Sequence, residues 1–134
     1  PELLFVPMAT TDSRWQSRIG NFGVFYLEKP AWGDPELNRE HQAFDVFKHN
    51  ANAAELVHTL DVGRWIVFGN GLDFCVTSVV RGLLELNQDV TVLSDVLVSG
   101  AGGTEATRHR ILERFEEQGV VVTPAAELLE SMGM

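Results

Sequence analysis

Residues 64–95 read RWIVFGNGLDFCVTSVVRGLLELNQDVTVLSD, and this stretch decides the fold. Arg64 to Gly69 is a short apolar run, of strand length and bounded by a Gly-rich turn. Val76, Val79, Val80, Leu83 and Leu84 then recur at helical spacing and form one stripe. Asp89 to Asp95 is a second strand-like run. The alternation continues outward. The loop SGAGG leads into a helix over Thr104 to Gln118, with Ile111, Leu112 and Phe115 facing inward. GVVVT follows as a strand, and Pro124 opens the helix PAAELLESM in the first-turn position that proline suits. Strands that are apolar throughout and alternate with helices predict a three-layer α/β fold, a parallel sheet with helices on both faces.

Upstream, Leu3 to Thr10 reads as a strand. Asp12 to Gln42 is a long irregular segment rich in Gly, Pro and aromatics, and loops of that length tend to carry function. Asn50 to Leu60 reads as a helix capped by Asn50, with Ala54, Val57 and Leu60 on one face. No internal repeat or linker divides the chain, so residues 1–134 are expected to form one domain.

Composition narrows the function classes. The 134 residues are 45% hydrophobic, enough for one core. Ten Lys and Arg against 19 Asp and Glu give a formal charge of -9, which repels phosphate backbones, so nucleic acid is not an expected partner. No apolar run approaches the roughly 18 residues of a membrane span. A single cysteine excludes a disulfide within these residues and fits a reducing compartment, hence a cytoplasmic location. The expected partners are a small-molecule substrate and further copies of the chain.

That cysteine, Cys75, follows the first strand of the quoted stretch by a short turn and begins its helix. Ligands of open α/β sheets bind at this kind of place, beyond the carboxyl ends of the strands. The positive end of the helix favours an anionic nucleophile there, and the backbone amides around Asn70, Gly71, Phe74 and Cys75 are candidate oxyanion donors. Gly69 and Gly71 permit close backbone approach. The competing reading is that Cys75 is a small buried hydrophobe, as free cysteines often are.

The stretch VFGNGLDFCVTSVVRGLLELNQDVTVLSDVL resembles the signature region of the isochorismatase-like cysteine hydrolases, a group that includes nicotinamidases and carbamoylase-type amidases. Asp73, Phe74, Cys75 and Val76 match the family's D-x-C-V context, Gly69 its turn glycine, and Gly82, Leu83 and Leu84 its GLL helix. The likeness runs from about Phe44 to Met134, through Val92, Ser94, Asp95 and GVVVTPAAELL. It implies a Rossmann-type α/β fold, a cis peptide in the turn, and hydrolysis of a small amide or related C–N bond through a thioester on Cys75. An aspartate base and a lysine accompany the cysteine in that family.

The other family positions depart from the pattern. HQAFDVF matches the family's K-x-x-[YF]-[SD]-x-F with His41 in place of the lysine. His41 is a candidate proton carrier or charge partner, and equally an exposed loop residue; Lys48 is a candidate substitute, and equally a solvated lysine. Setting LLFVPM on the family's first strand puts Pro7 at the aspartate. Setting VPMATTDSR on its second strand, of the form VVATTDSH, matches better and places the first strand, its helix and the base before residue 1. The domain is then N-terminally incomplete, and hydrolysis by this chain alone is expected to be feeble, with Asp12 and Asp45 as substitute acids. In the same alignment Arg14 stands where nicotinamidase-type members carry a metal-ligating histidine, so neither metal nor other cofactor is expected.

Trp15, Phe25 and Phe44 are candidates for the walls of a substrate pocket, or else cover a sheet edge or a subunit contact. The resemblance therefore implies a cysteine amidohydrolase. The alternative is a catalytically impaired relative that keeps the fold for binding or assembly. A flavodoxin-like nucleotide binder is the weaker third reading, since only Ser99 to Thr104 offers a Gly-rich loop, and a plain connection explains it as well.

Overall fold

The computed structural model describes Leu27 and residues 45–99 and 103–134. The strand expected at Leu3 to Thr10 and the residues Asp12, Arg14, Trp15, Phe25, His41 and Phe44 lie outside these. The chain falls into two compact units, Pro1–Val62 and Gly63–Met134.

In the first unit the described elements are α1 (Val46–His49) and α2 (Asn52–Leu60). Asp45 caps α1: its Oδ1 accepts the amides of Phe47 at 3.0 Å and Lys48 at 3.3 Å, and the residue is buried. An acid used in this way holds a helix start. Asn50 does act ahead of α2, accepting the Asn52 amide at 3.0 Å on its side chain, although the residue in the cap position is Ala51. The buried face of α2 carries Ala53 and Val57, one turn apart, while the expected Ala54 is half-buried.

The second unit is the α/β core. Strands β1 (Trp65–Asn70), β2 (Val90–Val98) and β3 (Val121–Thr123) form a parallel sheet in the order β1-β2-β3. Helix α3 (Thr77–Glu85) joins β1 to β2, α4 (Glu105–Glu117) joins β2 to β3, and α5 (Ala125–Ser131) follows β3. Both crossovers advance in the same direction, and since parallel crossovers are right-handed in nearly all sheets, the topology puts α3 and α4 on one face. Val90, Thr91, Val92 and Leu93 are consecutive and all buried, so both faces of β2 are covered at that level, because neighbouring side chains alternate. The stripe expected on α3 is largely inward, with Val76, Val80 and Leu83 at most 3% exposed. On α4, Phe115 is buried, and Ile111 and Leu112 are half-buried. Each fully buried side chain of this size contributes about 1.5–3 kcal/mol.

Helices α3, α4 and α5 end in the same way. Asn87, Gly119 and Gly133 adopt positive φ just past the helix. Their amides bind Leu84 O, Glu116 O and Glu130 O, and the following amides of Gln88, Val120 and Met134 bind Leu83 O, Phe115 O and Leu129 O. This pair of bonds satisfies the last carbonyls of a helix.

Strand β2 runs beyond the expected Asp95 to Val98 because it is bulged. Val67 pairs with Val92, but Gly69, two residues on, pairs with Leu97, five residues on. Pairing resumes at Gly69 with Leu97 and at Asn70 with Val98, next to the turn that carries Cys75. Pro124 caps α5 rather than occupying its first turn, and the Ala125 amide donates to Asp95 Oδ1 at 2.8 Å.

Candidate active site

All three strands are parallel, so their carboxyl ends share one edge, and the segment after β1 lies there. Gly71 leaves β1 with φ 86° and ψ 54°, a left-handed conformation that costs an L-residue with a side chain about 1–2 kcal/mol. Its amide donates to Val98 O at 2.8 Å, which fastens the turn to the end of β2. Residues Leu72–Val76 then form a single π-helical turn before α3. The Val76 amide reaches back five residues to Gly71 O at 3.1 Å, and the Phe74 amide reaches the same oxygen at 3.0 Å. Thr77 binds Leu72 O twice, through its amide and through Oγ1 at 2.5 Å. Such π turns are uncommon and occur often at functional positions.

Cys75 sits in this turn, half-buried, between the buried Leu72 and Val76. It is neither sealed in the core nor fully exposed, which is what a thiol needs in order to be both oriented and reachable. A Cβ on Gly71 would lie 3.6 Å from Cys75 Sγ, 3.7 Å from its Cβ and 3.7 Å from its backbone N. The space that the glycine leaves is thus bordered by the sulfur and by the cysteine's own backbone. No side chain caps the π turn.

The positions expected from sequence divide into three groups. Asn70, Gly71, Phe74 and Cys75 come together in the turn, with Asn70 exposed at the end of β1. The amides of Gly71 and Phe74, expected as oxyanion donors, are engaged inside the fold with Val98 O and Gly71 O. As placed, they hold the turn. Lys48 is exposed on α1 in the first unit. His41, Trp15, Phe25 and Phe44 lie outside the described residues. Asp45, the substitute acid that is described, is committed to capping α1. The cis peptide implied by the family likeness is not found: among the described residues, every peptide bond is trans.

Thr104, at the end of the Gly-rich loop, spends its side chain on its own helix, accepting the Thr107 amide at 3.2 Å. His109 pairs with Glu113 at 3.1 Å on the exposed face of α4, and His58 is exposed on α2. Among the described residues, no three His, Cys, Asp or Glu side chains gather as metal ligands, and no helix is long and apolar enough to cross a membrane. Sequence reading missed Thr77 and Arg108, which act on main-chain carbonyls that no motif spacing reveals.

No protein-family model and no curated protein matches the chain. Solved structures do. An isochorismatase-like hydrolase from Alkaliphilus metalliredigens is similar at 13% identity, over 90% of this chain and 81% of that one, with a TM-score of 0.64. Pyrazinamidase of Pyrococcus horikoshii, solved in complex with zinc, is similar at 19% identity, over 75% of this chain and 51% of that one, with a TM-score of 0.61. N-carbamoylsarcosine amidase from Thermoplasma acidophilum is similar at 14% identity, over 83% of this chain and 77% of that one, with a TM-score of 0.58. The chain spans about half the length of the Pyrococcus protein and of one further isochorismatase family protein that it matches. A parallel α/β sheet shared with several such structures gives the conclusion: the chain has the isochorismatase-like fold.

Proposed function

We propose that this chain supplies the nucleophile of a cysteine-dependent hydrolase acting on a small amide or related C–N bond. The observation that carries the reading is the placement of half-buried Cys75 in a π turn at the carboxyl edge of the sheet, with its sulfur 3.6 Å from the Cβ position that Gly71 leaves empty. The similar solved structures include a pyrazinamidase and an N-carbamoylsarcosine amidase, which supports an amide as the substrate class.

In the proposed reaction the Cys75 thiolate adds to the carbonyl carbon, and the C–N bond breaks with one proton delivered to the leaving nitrogen. Water then adds to the thioester, releasing the carboxylic acid and restoring the thiol. His41 and Lys48 are proposed as the proton-handling groups, and Trp15, Phe25 and Phe44 as pocket residues, all from the sequence reading. The chain is proposed to act as a homo-oligomer in the cytoplasm.

The test is ammonia release from a panel of small primary amides, nicotinamide and N-carbamoyl amino acids among them, together with mass detection of an acyl adduct on Cys75. Ammonia released by the native chain and absent in Cys75→Ala, with an adduct on the cysteine, is expected. Neither ammonia above the Cys75→Ala background nor an adduct would sink the hydrolase and favour the second reading, a binding or assembly module. That second reading draws on the departures at Pro7 and His41 from the family pattern.

A further inference from the structure

β3 pairs with β2 only as far as Leu93, opposite Thr123. Beyond Leu93 the described ladder gives β2 no strand partner on that edge, and main-chain carbonyls without a strand partner take other donors. Arg108, on α4, supplies them. Its Nη1 donates to Leu97 O at 2.9 Å and its Nη2 donates to Ser94 O. These two carbonyls flank the bulge, one at its start and the other where pairing with β1 resumes. The guanidinium side chain is 21% exposed, and the Glu105 carboxylate is 4.0 Å from its Nε. A planar fork with donors in fixed geometry can span two carbonyls at once, which an ammonium group cannot.

The next residue of β2 is Val98, whose carbonyl accepts the Gly71 amide at 2.8 Å. Gly71 in turn offers its own carbonyl to the amides of Phe74 and Val76, which brackets Cys75. α4 also packs directly against the π turn. An unbroken chain of bonded groups thus runs from the Arg108 guanidinium through Leu97, Val98 and Gly71 to the turn that carries the thiol.

We infer that Arg108 is a positioning residue for Cys75: by clamping the Ser94 and Leu97 carbonyls it sets where β2 ends, and through the Gly71–Val98 bond it sets the cysteine turn. The inference rests on Cys75 being the reacting group proposed above. Arg108 itself touches no reacting atom in this scheme.

The test compares the full chain with Arg108→Met and Arg108→Lys. Amide hydrogen exchange is read at Gly71 and Val76, with Leu84 of α3 and Val57 of α2 as references. Alkylation by iodoacetamide is followed by intact mass, Cys75 being the single thiol of the chain. In Arg108→Met, exchange at Gly71 and Val76 rises about tenfold or more while the references stay within about twofold. Alkylation of Cys75 changes by about threefold or more, and Arg108→Lys recovers part of both effects.

Unchanged exchange at Gly71 and unchanged alkylation in Arg108→Met overturn the inference. So does a rise of equal size through β1, β2 and α3, which marks general loosening. If Arg108→Met does not fold by far-UV circular dichroism, the same criteria are applied to Arg108→Lys, which keeps the charge but cannot hold both carbonyls. Neither readout requires turnover. An inert native chain with an Arg108-dependent turn breaks the hydrolase reading and upholds only the clamp of Arg108 on the cysteine turn. Active hydrolysis with a turn indifferent to Arg108 breaks this inference alone.

Discussion

The two edges of the sheet are built differently. At the amino edge, α3 and α4 end in the same bonded pair, one residue with positive φ followed by an amide that reaches back five residues, and α5 ends that way too. At the carboxyl edge no two helix starts are alike. α3 is entered through a π turn with no side-chain cap, α4 through Thr104 capping its own first turn, and α5 through Pro124 with Asp95 reaching over from β2. The three entries differ from one another, and Cys75 lies in the least common of them, a π turn.

The sharpest break of this contrast is at the thiol. Cys75→Ala is expected to bring the feeble amide turnover of the chain down to the uncatalysed background, with the melting temperature little changed. Turnover equal to that of the native chain and above the background would remove the carboxyl edge from the chemistry.

A matched pair of glycines comes next. Gly71 and Gly119 have φ of 86° and 87°, so alanine at either costs about 1–2 kcal/mol of backbone strain, a melting shift of several degrees. The added methyl meets Cys75 at Gly71 and nothing within 4 Å at Gly119. Gly71→Ala should therefore also slow iodoacetamide alkylation of Cys75 severalfold, and Gly119→Ala should leave it unchanged. Equal effects on the thiol would erase the distinction between the edges.

Smaller effects sharpen it. Thr77→Val removes the hydroxyl that binds Leu72 O and should cost about 1 kcal/mol while altering Cys75 alkylation. Thr104→Ala removes a cap and should cost about 0.5–1 kcal/mol in thermal melting with alkylation unchanged.

The sequence made the amino edge and the core legible because both depend on local signals. The spacing of Val76, Val80 and Leu83 gives the buried face of α3, and the glycine before Val120 marks where α4 stops. Cys75 was legible as a position after β1. The shape of its turn was not, because a five-residue reach depends on which carbonyl Thr77 binds. β2 read as ending at Asp95, yet the strand continues through a bulge whose carbonyls are bound by Arg108, 11 and 14 residues on, a partner that no local signal reveals. Asp45 read as a spare acid because nothing local distinguishes a capping carboxylate from a catalytic one.

The β2 bulge also constrains how the chain can change length. Val92 and Leu97 are paired with Val67 and Gly69, which point to the same side, although five steps along a regular strand would put them on opposite faces. Both are buried, with Val96 and Val98 exposed on either side of Leu97. Loss of residues 94–96 as a block would leave two steps on each strand, a regular ladder in which Leu97 still points inward. Loss of one residue there would also leave an even number of steps, four, but with two extra residues still on β2, so the bulge would have to be rebuilt rather than removed. Deletions in this strand are therefore not equivalent at every size, and the sheet keeps a count of its own residues at the place where it meets the cysteine turn.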